Sequence, residues 1–387
     1  MPKQINIALI GRKFMGKAHS NAWRQVGYFF DLPVCPVLKA LCARDTKARL
    51  QEDARRLGWQ EVEPDWRRLI ARPDIQVVDI CTRNDLHAPM AIAAARAGKH
   101  VICEKPLARN LAEARQMLAA VQRAGVKHLC NFNYRQAPAL QLAKQIISQG
   151  RIGEIYHFRA QYLQDWIVDP GFPMVWRLQR TKAGSGAHGD LNAHLIDLAH
   201  FLVGEIAQVC GEMKTFIKER PLQAGGEGAW GARARRGRMG RVTVDDAALF
   251  LARFANGALG SFEATRFAPG RKNFNHIEIN GSKGSLSWNL ERMNELEFFS
   301  RDDPPHLQGW RTILATEGVH PYMSAWWPPG HIIGYEHTFT HAIYSFLCAL
   351  GTRKQPSPNF ADGVRAQAVL EAVAASAKSG RWARVPR

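Results

Sequence analysis

Three short stretches of this 387-residue sequence combine residue types and spacings suited to chemistry. The first is Gly11-Arg12-Lys13-Phe14-Met15-Gly16, which follows the apolar run Ile5-Asn6-Ile7-Ala8-Leu9-Ile10. A strand, a glycine-bounded turn and then a helix is where a Rossmann domain cradles a pyrophosphate, because backbone amides and the helix N-terminus face the anion. Gly11, Lys13, Phe14, Met15 and Gly16 are therefore candidate dinucleotide-binding residues. Lys13 occupies the middle glycine position, where a side chain obstructs the approach of backbone to phosphate.

The second stretch is a pair of strand ends. Thr82-Arg83-Asn84-Asp85-Leu86-His87 follows one apolar run, and Glu104-Lys105-Pro106-Leu107 follows the next. Ligands of open α/β sheets bind outside the carboxyl ends of the strands, so both segments are expected at one crevice. Thr82, Asn84, His87, Glu104 and Lys105 join the candidates for cofactor binding. The bland alternative for Glu104-Lys105-Pro106 is a turn with two solvated charges.

The third stretch runs from Gly184-Ser185-Gly186-Ala187-His188-Gly189 into Asp190-Leu191-Asn192-Ala193-His194-Leu195-Ile196-Asp197. A helix beginning near Gly189 puts Asp190, His194 and Asp197 on one face. A carboxylate one turn from an imidazole orients it and raises its basicity, which suits a proton acceptor. The alternative is an acid favouring the helix dipole beside an ordinary packed histidine.

The elements that must position these residues fall into two rhythms. Up to about residue 130, short apolar runs (5–10, 37–42, 77–81, 100–103, 127–130) alternate with helical stretches (one that follows the Gly-rich turn and runs to about 27, then 46–57, 88–97 and 111–124). That alternation predicts an α/β Rossmann domain, a doubly wound parallel sheet, over residues 1–130. After residue 131 a helical stretch leads into strands at 155–163, 247–254, 258–265, 275–280 and 284–288, with Asn256-Gly257 and Gly281-Ser282 as hairpin turns. Residues 131–387 are thus expected to form an α+β domain with a large, mainly antiparallel open sheet.

Bulk properties exclude several classes. Hydrophobic residues make up 46% and charged residues 22%, a globular balance rather than a disordered one. No apolar run is long enough to cross a bilayer. The start lacks the apolar core and cleavage site of a secretory signal, so a cytoplasmic protein is expected. The seven cysteines show no zinc spacing and read as reduced, packed thiols, and no metal is expected. The net charge of +18 leaves an anionic partner open. The one dense run, Arg233 to Arg241, is Gly-rich and reads as a solvated loop rather than a nucleic-acid site.

Together, Gly11 to Gly16 with His19, the Thr82 to His87 segment, Glu104-Lys105-Pro106 and Asp190-x-x-x-His194 resemble the glucose–fructose oxidoreductase / inositol dehydrogenase (Gfo/Idh/MocA) family over essentially the whole chain. Within it, Tyr162-Leu163-Gln164-Asp165-Trp166, Trp176-Arg177 and residues 184–190 look most like the levoglucosan and glucoside 3-dehydrogenases. The resemblance implies NAD or NADP as cofactor, Lys105, Asp190 and His194 as the catalytic set, and a homodimer or homotetramer. It implies a sugar, anhydrosugar or cyclitol whose secondary hydroxyl is oxidised, and Tyr134, Arg135, Asp165, Arg177 and Asn192 as candidates to grasp its hydroxyls. Three departures from the family pattern stand out: Lys13 at the glycine position, Arg83 in place of proline, and Cys42-Ala43-Arg44-Asp45 without an acid at the ribose position. Arg44 there would accommodate the 2′-phosphate of NADP, while Asp45 could still serve a ribose. Two rival readings remain: a glycoside-cleaving enzyme with recycled NAD, and a non-catalytic nucleotide-binding regulator.

Overall fold

In the computed structural model, which describes residues 3–222 and 237–386, the first apolar run becomes β1 (Lys3–Ile10). It leads through the Gly11 turn into α1 (Phe14–Phe29). The alternation then continues with β2 (Val34–Cys42), α2 (Lys47–Leu57), β3 (Glu61–Glu63), α3 (Trp66–Ala71), β4 (Val77–Ile80), α4 (Asn84–Arg96), β5 (His100–Cys103), α5 (Leu111–Ala124) and β6 (His128–Cys130). The six strands pair in parallel in the order β3-β2-β1-β4-β5-β6. This is the doubly wound sheet expected, with the strand order reversing beside β1. Helix ends obey their local chemistry: Thr46 caps α2 and Asn110 caps α5, while Gly58 and Gly125 end those helices in the left-handed region.

Contacts group the chain into two compact units, Met1–Ala137 with Tyr322–Val364, and Pro138–Pro321 with Arg365–Arg387. This division differs from the expected boundary at residue 130, because residues 322–364 fold with the first unit. The reason is apolar packing. Phe339, Ile343, Phe346 and Leu347 of the helix Tyr335–Leu350 join Ile7, Leu9, Trp23 and Val26 in one buried cluster. The 3.6-residue periodicity of a helix shows that it has an apolar face, not which sheet that face will cover.

The second unit is built on a nine-stranded sheet. In spatial order its strands are Arg311–Leu314, Glu295–Ser300, Gly284–Asn289, Phe274–Gly281, Ile155–Leu163, Leu259–Thr265, Ala247–Phe254, Ile206–Lys214 and Ala383–Arg384. The pairings are antiparallel except that of Ile155–Leu163 with Leu259–Thr265. Strict alternation along Ala247–Phe254 buries Phe250, Ala252 and Phe254 on one face and exposes Leu249 and Leu251 on the other.

Of the basic run at 233–241, residues 233–236 lie outside the described residues. Met239–Arg241 is not loop, as expected, but a short strand paired with Glu219–Pro221. All seven cysteines are free, and burial pushes the Cys42 thiol up to about 12. No helix among the described residues is long and apolar enough to cross a membrane.

The segment carrying Asp190 is irregular. Residues 188–192 do not begin a regular α-helix; His188–Asn192 is a π turn that continues as the helix Ala193–Leu202. Asp245 holds its start, taking the Gly186 amide at 2.7 Å and the His188 amide at 2.6 Å on its two carboxylate oxygens. Gly186 is required there, since a Cβ would lie 1.8 Å from the Asp245 carbonyl oxygen. Asp245 is itself buried, so Asp245→Ala strands two buried donors and is expected to lower unfolding free energy by about 3 kcal/mol or more in denaturant melts. A loss below about 0.5 kcal/mol would show that the turn holds without this clamp.

Candidate functional site

In the first unit the turn after β1 is shaped around backbone. Gly11 has φ of +124°, and its amide donates to the Cys42 carbonyl at 2.8 Å. A Cβ on Gly16 would lie 2.2 Å from the Gly11 carbonyl oxygen, so α1 starts against the turn only because position 16 lacks a side chain. Lys13 is the N-cap of α1 and is exposed, with no side-chain hydrogen bond to the helix. Phe14 is exposed, Met15 is half-buried, and the first turn of α1 holds no acid. A helix N-terminus without a side-chain cap or an acidic neighbour keeps its amides and partial positive charge for an anion. The cradle therefore fits a dinucleotide pyrophosphate, with the Lys13 side chain exposed at its edge.

At the end of β2, Arg44 is exposed. Asp45 accepts from the Thr46 amide at 2.8 Å and pairs with Arg12, which also pairs with Asp53. The Thr46 amide and the Arg12 and Arg49 charges hold the Asp45 carboxyl below its ordinary range. Arg12, which sequence spacing did not single out, thus fixes the acid closest to the expected ribose position.

The ends of β4 and β5 form a braced platform for Lys105. Thr82 Oγ1 lies 3.3 Å from the Arg83 carbonyl, Asn84 opens α4, and Arg83 forks onto Asp85 through two 3.1 Å bonds. Glu104 and His87, expected at the cofactor, have their side chains in the interior instead. His87 lies with Nδ1 3.0 Å from the Pro106 carbonyl and Nε2 3.2 Å from that of Thr82, and burial lowers its pKa. Glu104 Oε1 faces His19 Nε2 at 2.9 Å and accepts from Asn131 Nδ2 at 2.6 Å. Its Oε2 accepts from the Lys105 amide at 3.2 Å. Leu107 is locked against Gly363, where a Cβ would come within 2.6 Å of its side chain.

In the second unit, the π turn presents Asp190 at its third residue, and His194 follows in the first turn of the helix after it. The expected regular α-helical spacing of Asp190, His194 and Asp197 is therefore stretched by one wide turn. Such turns recur at functional sites because they re-aim side chains within an otherwise regular helix. His194 is buried with its ring 5.9 Å from that of Tyr162, and Tyr162 Oη donates to Asn273 Oδ1 at 2.8 Å. Asp190 receives Arg266 Nη2 at 2.6 Å, and the buried Arg266 guanidinium lies 5.1 Å from the Trp166 ring. Arg266 was not legible in sequence, since no spacing rule links it to residue 190.

The expected substrate residues have varied surroundings. In the first unit Tyr134 is buried near Tyr335, and Arg135 is buried and paired with Asp362 at 3.2 Å. In the second, Asp165 is bonded by Lys272 Nζ at 2.6 Å and the Gly270 amide at 3.1 Å, which lower its pKa. Arg177 is half-buried with its guanidinium 4.5 Å from the Trp176 ring. Asn192 is fully buried and bonded to His188 Nδ1 at 3.1 Å. A residue missed entirely is Asn275. It is fully buried, its Oδ1 and Nδ2 have no partner among the described residues, and it sits opposite Tyr162 on the neighbouring strand. Its only sequence signal is a polar residue at an inward position of an alternating strand.

Comparison with known proteins agrees with this geometry. Residues 5–132 match the model of the oxidoreductase family with an NAD-binding Rossmann fold, and residues 140–287 that of the GFO/IDH/MocA C-terminal domain. The chain is 46% identical to the levoglucosan dehydrogenase of Pseudarthrobacter phenanthrenivorans, across 100% of this chain and 99% of that one. An oxidoreductase domain protein from Kribbella flavida is 52% identical with a TM-score of 0.94, each chain covered in full. A levoglucosan dehydrogenase in complex with NADH and levoglucosan is 44% identical with a TM-score of 0.93, covering 99% of this chain and 100% of that one. The chain belongs to the GFO/IDH/MocA oxidoreductase family, and is a dehydrogenase with an NAD-binding Rossmann domain.

Proposed function

We propose that this enzyme oxidises a secondary hydroxyl of a pyranose-like sugar or anhydrosugar, with levoglucosan as the first substrate to test and NAD as the acceptor. The observation that carries this reading is full-length likeness, at 46% identity, to levoglucosan dehydrogenase. Bound at the Gly11–Gly16 cradle, the cofactor supplies a nicotinamide that takes up the hydride of the carbinol C–H. His194 takes the hydroxyl proton, so the C–H pair and the O–H proton leave together and a carbonyl remains. Lys105 donates a hydrogen bond to the same oxygen as it changes from hydroxyl to carbonyl. Asp190 favours the imidazolium that forms on His194. It does so with its charge shared, because Arg266 already donates to it at 2.6 Å. Asn275, with two buried polar atoms lacking partners among the described residues, is suited to bind a further ring hydroxyl.

These roles separate in kinetics. His194→Ala is expected to lower kcat about a hundredfold or more, the usual scale of general-base catalysis. Asp190→Asn is expected to have the smaller effect, because Arg266 partly neutralises the carboxylate. NADH affinity should hardly change in either. Turnover per folded molecule, taken with melting temperature, checks this; full activity in folded His194→Ala would remove the histidine from the mechanism. Asn275→Leu is expected to raise KM for the sugar about tenfold or more while leaving NADH binding intact, and an unchanged KM would mean that no substrate hydroxyl meets it.

Cofactor choice has its own test. NAD is favoured by the NADH complex of the related dehydrogenase and by an ionised Asp45 at the end of β2. Arg44→Ala should weaken NADP more than NAD in titrations, since only NADP offers a 2′-phosphate to the guanidinium. Equal losses would show that Arg44 does not read that phosphate.

A further inference from the structure

The interior of the first unit holds a charge arrangement that the proposed chemistry does not use. His19, on α1, is 1% exposed. Its Nδ1 lies 2.9 and 3.0 Å from the two oxygens of Asp79, and its Nε2 lies 2.9 Å from Glu104 Oε1. Trp23 Nε1 donates to Asp79 at 2.8 Å, Asn131 Nδ2 donates to Glu104, and Phe339 packs edge-on at 5.4 Å from the His19 ring. Both ring nitrogens thus face carboxylates in a site closed to water.

Burial alone would lower the His19 pKa, but Asp79 foremost, and Cys81 after it, outweigh it through charge and hydrogen bonds, and the net shift is upward. Burial would raise the Glu104 carboxyl, but bonds from His19 and Asn131 and the charges of His19 and Lys105 bring it below its ordinary value. The remaining titratable neighbours contribute no charge near neutrality: burial raises the Cys81 thiol and keeps His87 neutral. His19, Asp79 and Cys81 place ligand-type atoms within 4.8 Å of one another, but the carboxylate bonds of His19 and the protonated thiol leave nothing for a metal ion.

We propose that His19 is a positioning residue for Lys105. Its ring sits between the two carboxylates in a dry site, bonded to Asp79 through Nδ1 and to Glu104 through Nε2, so a positive charge on it serves both. The ionised Glu104 in turn holds the Lys105 amide at 3.2 Å and so sets where the lysine side chain begins. Without the imidazolium the two carboxylates share one proton, and the backbone hold on Lys105 comes to depend on pH.

The proposal rests on the reading of Lys105 as a catalytic residue for its kinetic arm alone, and two arms read no turnover. In histidine-selective 15N NMR of the unsubstituted protein, His19 is expected to carry protons on both ring nitrogens at pH 8. In His19→Gln the carboxylate pair has a raised native pKa, so its stability is present at low pH and declines as pH climbs above about 4, where the unfolded carboxylates ionise. The wild type is expected to hold its stability from there up to about pH 6.5 and to lose it only above, as the unfolded histidine gives up its proton while native His19 keeps it. His19→Gln/Asp79→Asn, which leaves one carboxylate, is expected to lack the decline that His19→Gln shows between about pH 4 and 6.5. With sugar and NAD, kcat of His19→Gln should fall over the same range, the new ionisation should vanish in the double variant, and NADH affinity should stay within about threefold. A merely structural histidine would lower the melting temperature of both variants equally at every pH. If His19→Gln does not fold, Glu104→Gln takes its place, with kcat down about tenfold and the pH profile of melting unchanged from wild type expected. A His19 that is neutral at pH 8, a shared pH dependence of single and double variants, or full activity in Glu104→Gln would overturn the proposal. A wild type that oxidises no sugar would instead count against the oxidoreductase reading, with the NMR and melting arms still deciding this one.

Discussion

A carboxylate removed from water must find donors, and the segments proposed to carry the chemistry of this enzyme are tied down by buried carboxylates that have done so. Glu104 binds the amide of Lys105, beside which the side chain of interest starts. Asp245 binds the amides of Gly186 and His188, from which the turn bearing Asp190 unwinds. Asp246, next in sequence, takes the amides of Phe216 and Ile217, and burial raises its pKa despite them. A leaving donor strands a charge in a low-dielectric interior, which costs several kcal/mol, so each clamp restricts backbone more tightly than an exposed turn could.

Close backbone packing complements these clamps where side chains would intrude. Gly16 lets α1 begin against the Gly11 carbonyl, and Gly186 lets the π turn begin against Asp245. Both sites combine a glycine that permits the approach with polar bonds that maintain it. The consequence for function is preorganisation. Groups that must meet charge as it develops in a transition state work best when they need not move to do so.

Much of the scaffold was legible from pattern alone. The parallel sheet followed from apolar runs alternating with helices, and α5 (Leu111–Ala124) and the strand Ile155–Leu163 fall where periodicity puts them. The short strand Glu61–Glu63 carries two acids and one valine, too little apolar signal to be read. The helix Tyr335–Leu350 joins the Rossmann core through contacts with residues some three hundred positions away, which no local pattern carries. At the candidate site, residue types at strand ends and the Asp190/His194 spacing single out segments, whereas the residues that support them, such as Arg12 and Arg266, leave no local signal. Glu104 and His87 looked like cofactor ligands because strand ends usually face the crevice, yet both side chains turn inward, His87 onto the Pro106 and Thr82 carbonyls and Glu104 onto Asn131 and the Lys105 amide. Arg12, Arg266 and Asn275 act across 33, 76 and 113 residues of chain, counted to Asp45, Asp190 and Tyr162, and no local rule reaches so far.

Hydride leaves a sugar carbon for the nicotinamide in the proposed reaction, while protein side chains manage only the proton. The most direct test uses levoglucosan deuterated at each ring carbon bearing a hydroxyl, incubated with NAD and the enzyme, with the reduced cofactor isolated and read by NMR. The predicted result is net formation of reduced cofactor carrying deuterium at nicotinamide C4 from one labelled position, with the matching sugar carbon converted to a carbonyl. Sugar consumed with no net reduced cofactor, or reduced cofactor free of deuterium from every labelled position, would contradict it.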